Sequence, residues 1–154
     1  MKISLSAIIT ALLFFSCTES VNEKKEKKPE RISTIPLPAS LNGCYEMIIS
    51  GDTASMKIEQ NKNVLNGILN YKQKDKDSNK GTVALTITGE RAEGYYTFQS
   101  EGKTSVRQIV FKVKSSFFAE GYGDIEMKND TAVFKYPHSL NFEEKHAFNK
   151  IDCK

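Results

Sequence analysis

The chain has no tryptophan, two histidines and three cysteines among 154 residues. Each shortage excludes something. His138 and His146 are the only histidines, with Glu143 and Glu144 between them. A metal centre would need these groups to converge, whereas scattered surface histidines are the commoner arrangement. No Ser-His-Asp or Cys-His constellation can be assembled, because both histidines follow the last expected strand and no nucleophile is marked. No cysteine has a CxxC partner. No apolar run is long enough to span a bilayer, which takes about 20 residues. Charge of one sign is also lacking. Residues 41–154 carry 16 basic and 15 acidic side chains, so nucleic acid has no electrostatic footprint to bind. A helical period is missing too, apart from the short stretch Leu140 to Phe148. We therefore expect no enzyme, no catalytic residue, no cofactor and no metal.

What is present begins with Met1-Lys2, a short positive start, followed by the 13-residue apolar run Ile3–Phe15. That is the anatomy of a secretory signal. The run ends in Leu13-Phe14-Phe15-Ser16-Cys17, a small residue directly before a cysteine. This resembles the lipobox of bacterial lipoproteins. The resemblance implies removal of residues 1–16 and fatty acylation (palmitate-type chains) of Cys17 as the new N-terminus. One acyl chain alone holds a protein only marginally, and several hold it stably. The chain would then be anchored to a membrane without crossing it. Thr18 occupies the place of the aspartate that retains some lipoproteins at the inner membrane, so the outer membrane is the expected location. The alternative is an ordinary signal peptide in which Cys17 is incidental.

Residues 17–40 read as the lipidated Cys17 and a flexible linker. The stretch EKKEKKPE and the IPLP after it are rich in Lys, Glu and Pro and too poor in apolar side chains to offset the entropy of ordering by burial. Lys24, Lys25, Lys27 and Lys28 could touch anionic headgroups, but Glu23, Glu26 and Glu30 offset most of that charge.

With Cys17 lipidated, Cys44 and Cys153 remain. Two thiols left in an exported domain are expected to oxidise. The closed loop would hold 110 residues and would tie the C-terminus to the first strand. The rival readings are a catalytic or a metal-binding cysteine.

From Gly43 onward the dominant signal is apolar–polar alternation. Tyr45, Met47 and Ile49 share one parity. So do Ala54, Met56 and Ile58, then Leu65, Gly67, Leu69 and Tyr71, then Val83, Leu85 and Ile87. Gly51-Asp52, Gln60 to Asn63, Lys72 to Lys80 and Gly89 to Arg91 separate them. The clearest stretch is Ala92–Val113, two long strands around a short polar turn. Strands from Phe117 to Met127 and from Thr131 to Tyr136 complete a set of eight. Sequential tight hairpins make an antiparallel meander, and eight long strands bury their edges best by closing. Residues 41–154 are thus expected to form an all-β, eight-stranded antiparallel meander barrel, with a sandwich as the runner-up. Gly67, Gly94, Gly121 and Gly123 would supply its bends.

Such small exported barrels are similar to the calycin, or lipocalin-like, group. Gly43-Cys44-Tyr45 resembles that group's Gly-x-Trp signature, with tyrosine in the tryptophan place. Ser100-Glu101-Gly102, Ser105-Val106-Arg107 and Glu120-Gly121-Tyr122-Gly123 resemble small bacterial lipoproteins of unknown function. The resemblance implies a barrel that permits a ligand cavity, and it brings no activity with it.

The chain offers two candidate sites. Asp75, Asp77 and Asn79 alternate as in a calcium loop, but Lys80 and Thr86 stand where the glycine and the bidentate glutamate belong. A solvated hairpin loop is the better reading. Arg107 shares its parity with Ile109 and Phe111, which puts a cation on an apolar face near one barrel mouth. A buried arginine needs a carboxylate. Glu101 across the turn could reach it. Phe118, Glu120, Tyr122 and Asp124 present polar groups at one parity of a neighbouring strand, although Phe117, Ala119, Gly121, Ile125 and Met127 could equally face in. Either Arg107 is an internal plug with a glutamate, or Arg107, Tyr96 and Tyr122 line a pocket for an anionic or amphipathic small ligand.

The functional expectation is a non-enzymatic, monomeric, lipid-anchored envelope lipoprotein that binds a small ligand or an envelope protein. The alternative is an inhibitor or chaperone-like protein acting on an envelope enzyme through exposed loops such as Lys72–Lys80, with a solid barrel interior.

Overall fold

The structure is a computed structural model that describes residues 40–74 and 77–153. The expected signal peptide, the lipidated Cys17 and nearly all of the linker lie outside the described residues. So do Asp75 and Lys76 of the proposed calcium-like loop.

Six long strands follow one another: β1 (Gly43–Ile49), β2 (Asp52–Asn61), β3 (Val64–Lys72), β4 (Asn79–Thr88), β5 (Arg91–Ser100) and β6 (Lys103–Lys114). Each pairs antiparallel with the next. The tight turns use left-handed residues, as at Lys62 (φ 55°) and at Glu101-Gly102 (φ 50° and 75°). That geometry matches the twist of the strands it joins. β7 (Phe117–Tyr122) pairs with β6. β11 (Phe148–Ile151) pairs with β7 on one side and β1 on the other, which closes an eight-stranded antiparallel barrel.

The eighth stave is therefore not the expected segment Thr131 to Tyr136. The chain leaves the ring after β7, where the expected strand Phe117–Met127 divides at Gly123-Asp124. It forms the hairpin β8 (Ile125–Lys128) and β9 (Thr131–Phe134), and β9 lies parallel against β6 through Val106↔Thr131 and Arg107↔Ala132. β10 (Asn141–Phe142) then pairs with β7. Within Leu140–Phe148 the only helical piece is one 3-10 turn at Glu144–His146.

Alternation fills the barrel. Tyr45, Ala54, Met56, Ile58, Leu65, Leu69, Val83, Leu85, Ile87, Ile109, Phe111, Val113 and Phe118 are all buried in one cluster. Burying each large side chain contributes about 1.5–3 kcal/mol before chain entropy is counted. Gly94 faces into this interior, and a Cβ there would lie 2.0 Å from the Ala84 carbonyl oxygen. Only glycine permits that approach, as expected for a small barrel's bend. Gly121 has a different cause. Its missing side chain makes room on the outside of β7 for the Phe142 ring, which a Cβ would meet at 2.8 Å. Val110, Ala119, Phe134 and Ala147 are buried outside the main cluster, so β6 and β7 are covered on both faces.

One end of the barrel is shut. Leu41 is fully buried and accepts a hydrogen bond from the Tyr45 hydroxyl at 2.8 Å. The Leu41 N–H donates to Gln60 Oε1 at 2.9 Å, and the Gln60 N–H donates to Asn42 Oδ1. Tyr45 meets Phe118 edge-on with ring centroids 4.8 Å apart. The Cys44–Cys153 disulfide joins β1 to the chain just beyond β11, with Cα atoms 5.2 Å apart.

Candidate functional site

The other end of the barrel is open, and its polarity follows from residues one or two steps along the same strands. On β6 the inward parity runs Val113, Phe111, Ile109 and then Arg107. On β7 it runs Phe118, Glu120, Tyr122, and on β3 it ends Leu69, Tyr71. Three polar side chains converge there, the long Arg107 side chain reaching back towards Glu120, which pairs in register with Phe111. Arg107 Nη1 lies 2.9 Å from Glu120 Oε1. Arg107 Nη2 donates to the Tyr71 hydroxyl at 3.0 Å, and that hydroxyl donates to Glu120 Oε2 at 2.6 Å. The three groups form a closed ring in which both carboxylate oxygens have partners.

Glu120 is 3% exposed, whereas the Arg107 side chain keeps 30% exposure. The guanidinium lies 5.5 Å from the Tyr71 ring centre and 5.4 Å from that of Tyr96, within cation–π reach. Tyr96 is itself buried. Its hydroxyl faces the carbonyls of Leu69 and Asn79 at 3.0 and 3.1 Å, and its ring stacks on Phe98 at 4.7 Å. The arginine is thus fixed by an anion, a phenol and two aromatic rings.

The electrostatics reinforce this arrangement. Burial raises the Tyr71 hydroxyl well above the usual tyrosine range, and the Glu120 charge raises it further against an opposing pull from Arg107. Tyr96 is pushed up to about 12, first by burial. Tyr122 is pushed up to about 12 by burial and then by Glu120. Burial pulls the Arg107 guanidinium down, but Glu120 and Tyr71 outweigh it and hold it above its ordinary value. The phenols stay neutral and the guanidinium stays charged across the physiological range.

Beyond the ring lies a cavity of about 410 Å³. Met47, Ile49, Phe98 and Tyr96 form apolar walls, Arg107, Glu120 and Tyr71 form its inner polar side, and Asp52, Thr53, Gln73, Asn79 and Tyr122 complete the lining. A shallower space of about 980 Å³ adjoins it between the β1–β2, β3–β4 and β5–β6 turns, sharing Thr53, Gln73 and Asn79.

Arg107, Glu120, Tyr96 and Tyr122 all line the cavity. Glu101 does not reach Arg107: the Ser100↔Lys103 register places Glu101 at the tip of the β5–β6 turn, exposed, on the wall of the outer space. The arginine's carboxylate is Glu120. Tyr71 was missed as a participant, although it ended an inward-facing parity and so pointed towards the same end. His138 and His146 do not follow the last strand but precede β11. His146 Nδ1 lies 2.8 Å from Glu143 Oε2, on the 3-10 turn outside the ring. Comparison of the chain with protein-family models, with curated proteins and with solved structures gives no significant match.

Proposed function

We propose that this protein is a non-enzymatic, lipid-anchored lipoprotein of the cell envelope, held at the outer membrane through Cys17, whose barrel takes a small amphipathic ligand into its open end. The observation that carries the ligand reading is the cavity of about 410 Å³ between apolar walls and the Arg107–Glu120–Tyr71 ring. Its size falls within the range of small-molecule sites, and one apolar side with a few convergent polar groups is their usual composition. The apolar run ending in Ser16-Cys17 supports the anchor. The Cys44–Cys153 bond supports an exported chain, since such bonds persist in oxidising compartments.

The test is a titration with Nile red, a neutral amphipathic dye that brightens on leaving water. The wild-type chain should enhance its emission saturably. Ile49→Trp, which fills the cavity from its wall while leaving the deeper core untouched, should abolish the enhancement and keep the thermal transition. Equal enhancement by both proteins would rule the cavity out. For the anchor, metabolic labelling with palmitate should be lost in Cys17→Ala.

A second reading, docking of an envelope protein, is favoured by one observation. β8 is paired only with β9 among the described residues, and Ile125, Met127 and Tyr136 stand 59%, 67% and 66% exposed around it.

A further inference from the structure

The open cavity is set up for one kind of polar head. Arg107 has five N–H donors. One contact goes to Glu120 and one to Tyr71. Its remaining N–H groups have no acceptor among the described residues, and the side chain borders the cavity. The side chain keeps 30% exposure, so these donors are open to water while no ligand fills the cavity; a ligand that takes that water's place must supply an acceptor or leave them unpaired.

A second carboxylate is a poor candidate for that acceptor. The guanidinium charge is already neutralised by Glu120, which is nearly inaccessible to water. Asp52 also borders the cavity, fixed by the Lys74 N–H at 2.7 Å from its Oδ1. The lining therefore has a formal charge of −1, from Asp52 and Glu120 against Arg107. Among the described lining residues of the outer space the charges cancel, Lys72 and Lys74 against Asp77 and Glu101. An anionic head would leave two or three negative groups sharing one cation at low local polarity, where repulsion is poorly screened. An ammonium head at the inner end would meet the guanidinium and find donors where it needs acceptors; the Asp52 carboxylate that could take it stands at the half-buried rim, away from the Arg107 donors.

We infer that the open end selects an uncharged amphiphile whose head accepts hydrogen bonds, such as the ester and hydroxyl groups of a monoacylglycerol, with its acyl chain against Met47, Ile49 and Phe98. This rests on the ligand reading above and specifies its chemistry. The neutral head satisfies the free donors of Arg107 without adding charge, and the Arg107–Glu120–Tyr71 ring need not open.

The experiment uses three probes with the same eight-carbon chain: monooctanoylglycerol, octanoate and octylammonium. Each is titrated calorimetrically into the full-length Cys17→Ala chain, which lacks the acylation site. Monooctanoylglycerol should bind at least about tenfold more tightly than either ion, a difference of ~1.4 kcal/mol. In Glu120→Gln the guanidinium loses its counter-ion, and the preference should turn towards octanoate. Asp52→Asn, which keeps an acceptor for the Lys74 N–H at the half-buried rim, should move octanoate in the same direction by less, and it serves where Glu120→Gln does not fold. Tightest binding of octanoate or octylammonium to the wild type would overturn the head-group inference while leaving the cavity a ligand site. An unchanged order of preference in both variants would overturn it as well. No binding of any of the three would sink the ligand reading itself.

Discussion

The two ends of this barrel are built from the same strands and do opposite work. At the shut end, Tyr45, Phe118, Phe111 and Phe148 meet edge to face, and the one buried hydroxyl is satisfied by a backbone carbonyl. Two residues further along the same inward parities, Phe118 gives way to Glu120 and Ile109 to Arg107. Packing stops there, and a cavity begins. On the ligand reading proposed above, the difference separates stability from recognition. The shut end can be dry because nothing in it needs solvent. The open end holds a buried ion pair, which costs desolvation and stabilises little beyond what apolar side chains of similar volume would. An ion pair that adds so little stability at the edge of a cavity is in keeping with the ligand reading proposed above.

The comparison can be broken in several ways. The largest effect should come from the clasp at the shut end. Replacing both Cys44 and Cys153 by serine frees a long loop, and on the chain-entropy argument the domain should lose about 4–5 kcal/mol, read by urea denaturation. A loss below about 1 kcal/mol would mean that the clasp contributes little to closing the ring.

Glu120→Ala should come next. It leaves Arg107 without its carboxylate, at a cost of about 3 kcal/mol, the low end of the usual range because the guanidinium keeps some solvent. The paired replacement Arg107→Met with Glu120→Leu should recover most of that stability and lose ligand selectivity. If the pair is the plug that holds the barrel together, the double variant will instead be as unstable as the single one.

A smaller effect should appear with pH. Tyr96 and Tyr122 ionise near 10 in the unfolded chain and are pushed up to about 12 when folded, with Tyr71 shifted in the same direction. A tyrosine that keeps its proton longer in the folded state contributes stability that is whole below about pH 10 and is lost as pH climbs through about 12. Urea midpoints should therefore be level from neutral pH to about 10 and fall above it. Tyr96→Phe should flatten part of that fall, and a midpoint that declines equally in the variant would detach the effect from this cluster.

Most of this contrast could be read from the residues. The hairpins β1 to β6 announced themselves by parity and turn chemistry, and the barrel followed from them. Arg107 on an apolar face marked the open end. Closure by β11 was hidden, because Phe148–Ile151 buries only its phenylalanine and shows no alternation. Cys153 gave the one clue that the C-terminus returns to β1. Thr131–Phe134 alternates like a stave and is a strand, but local pattern does not say which side of which neighbour it joins. Glu120 could not be assigned to a face for a physical reason: β7 is buried on both sides, so either parity looks like an interior. Glu101 was the plausible partner in sequence, and the left-handed turn that carries it took it out of reach.

Methionine methyl groups offer the most direct test of the central claim. Met47 lines the cavity, Met56 is enclosed deeper in the barrel, and Met127 stands 67% exposed on β8. Methyl NMR of the chain during titration with monooctanoylglycerol should shift Met47 saturably and leave Met56 and Met127 in place. A shift confined to Met127, or a Met56 shift as large as that of Met47, would contradict an account in which one end of the barrel binds and the other only holds the fold.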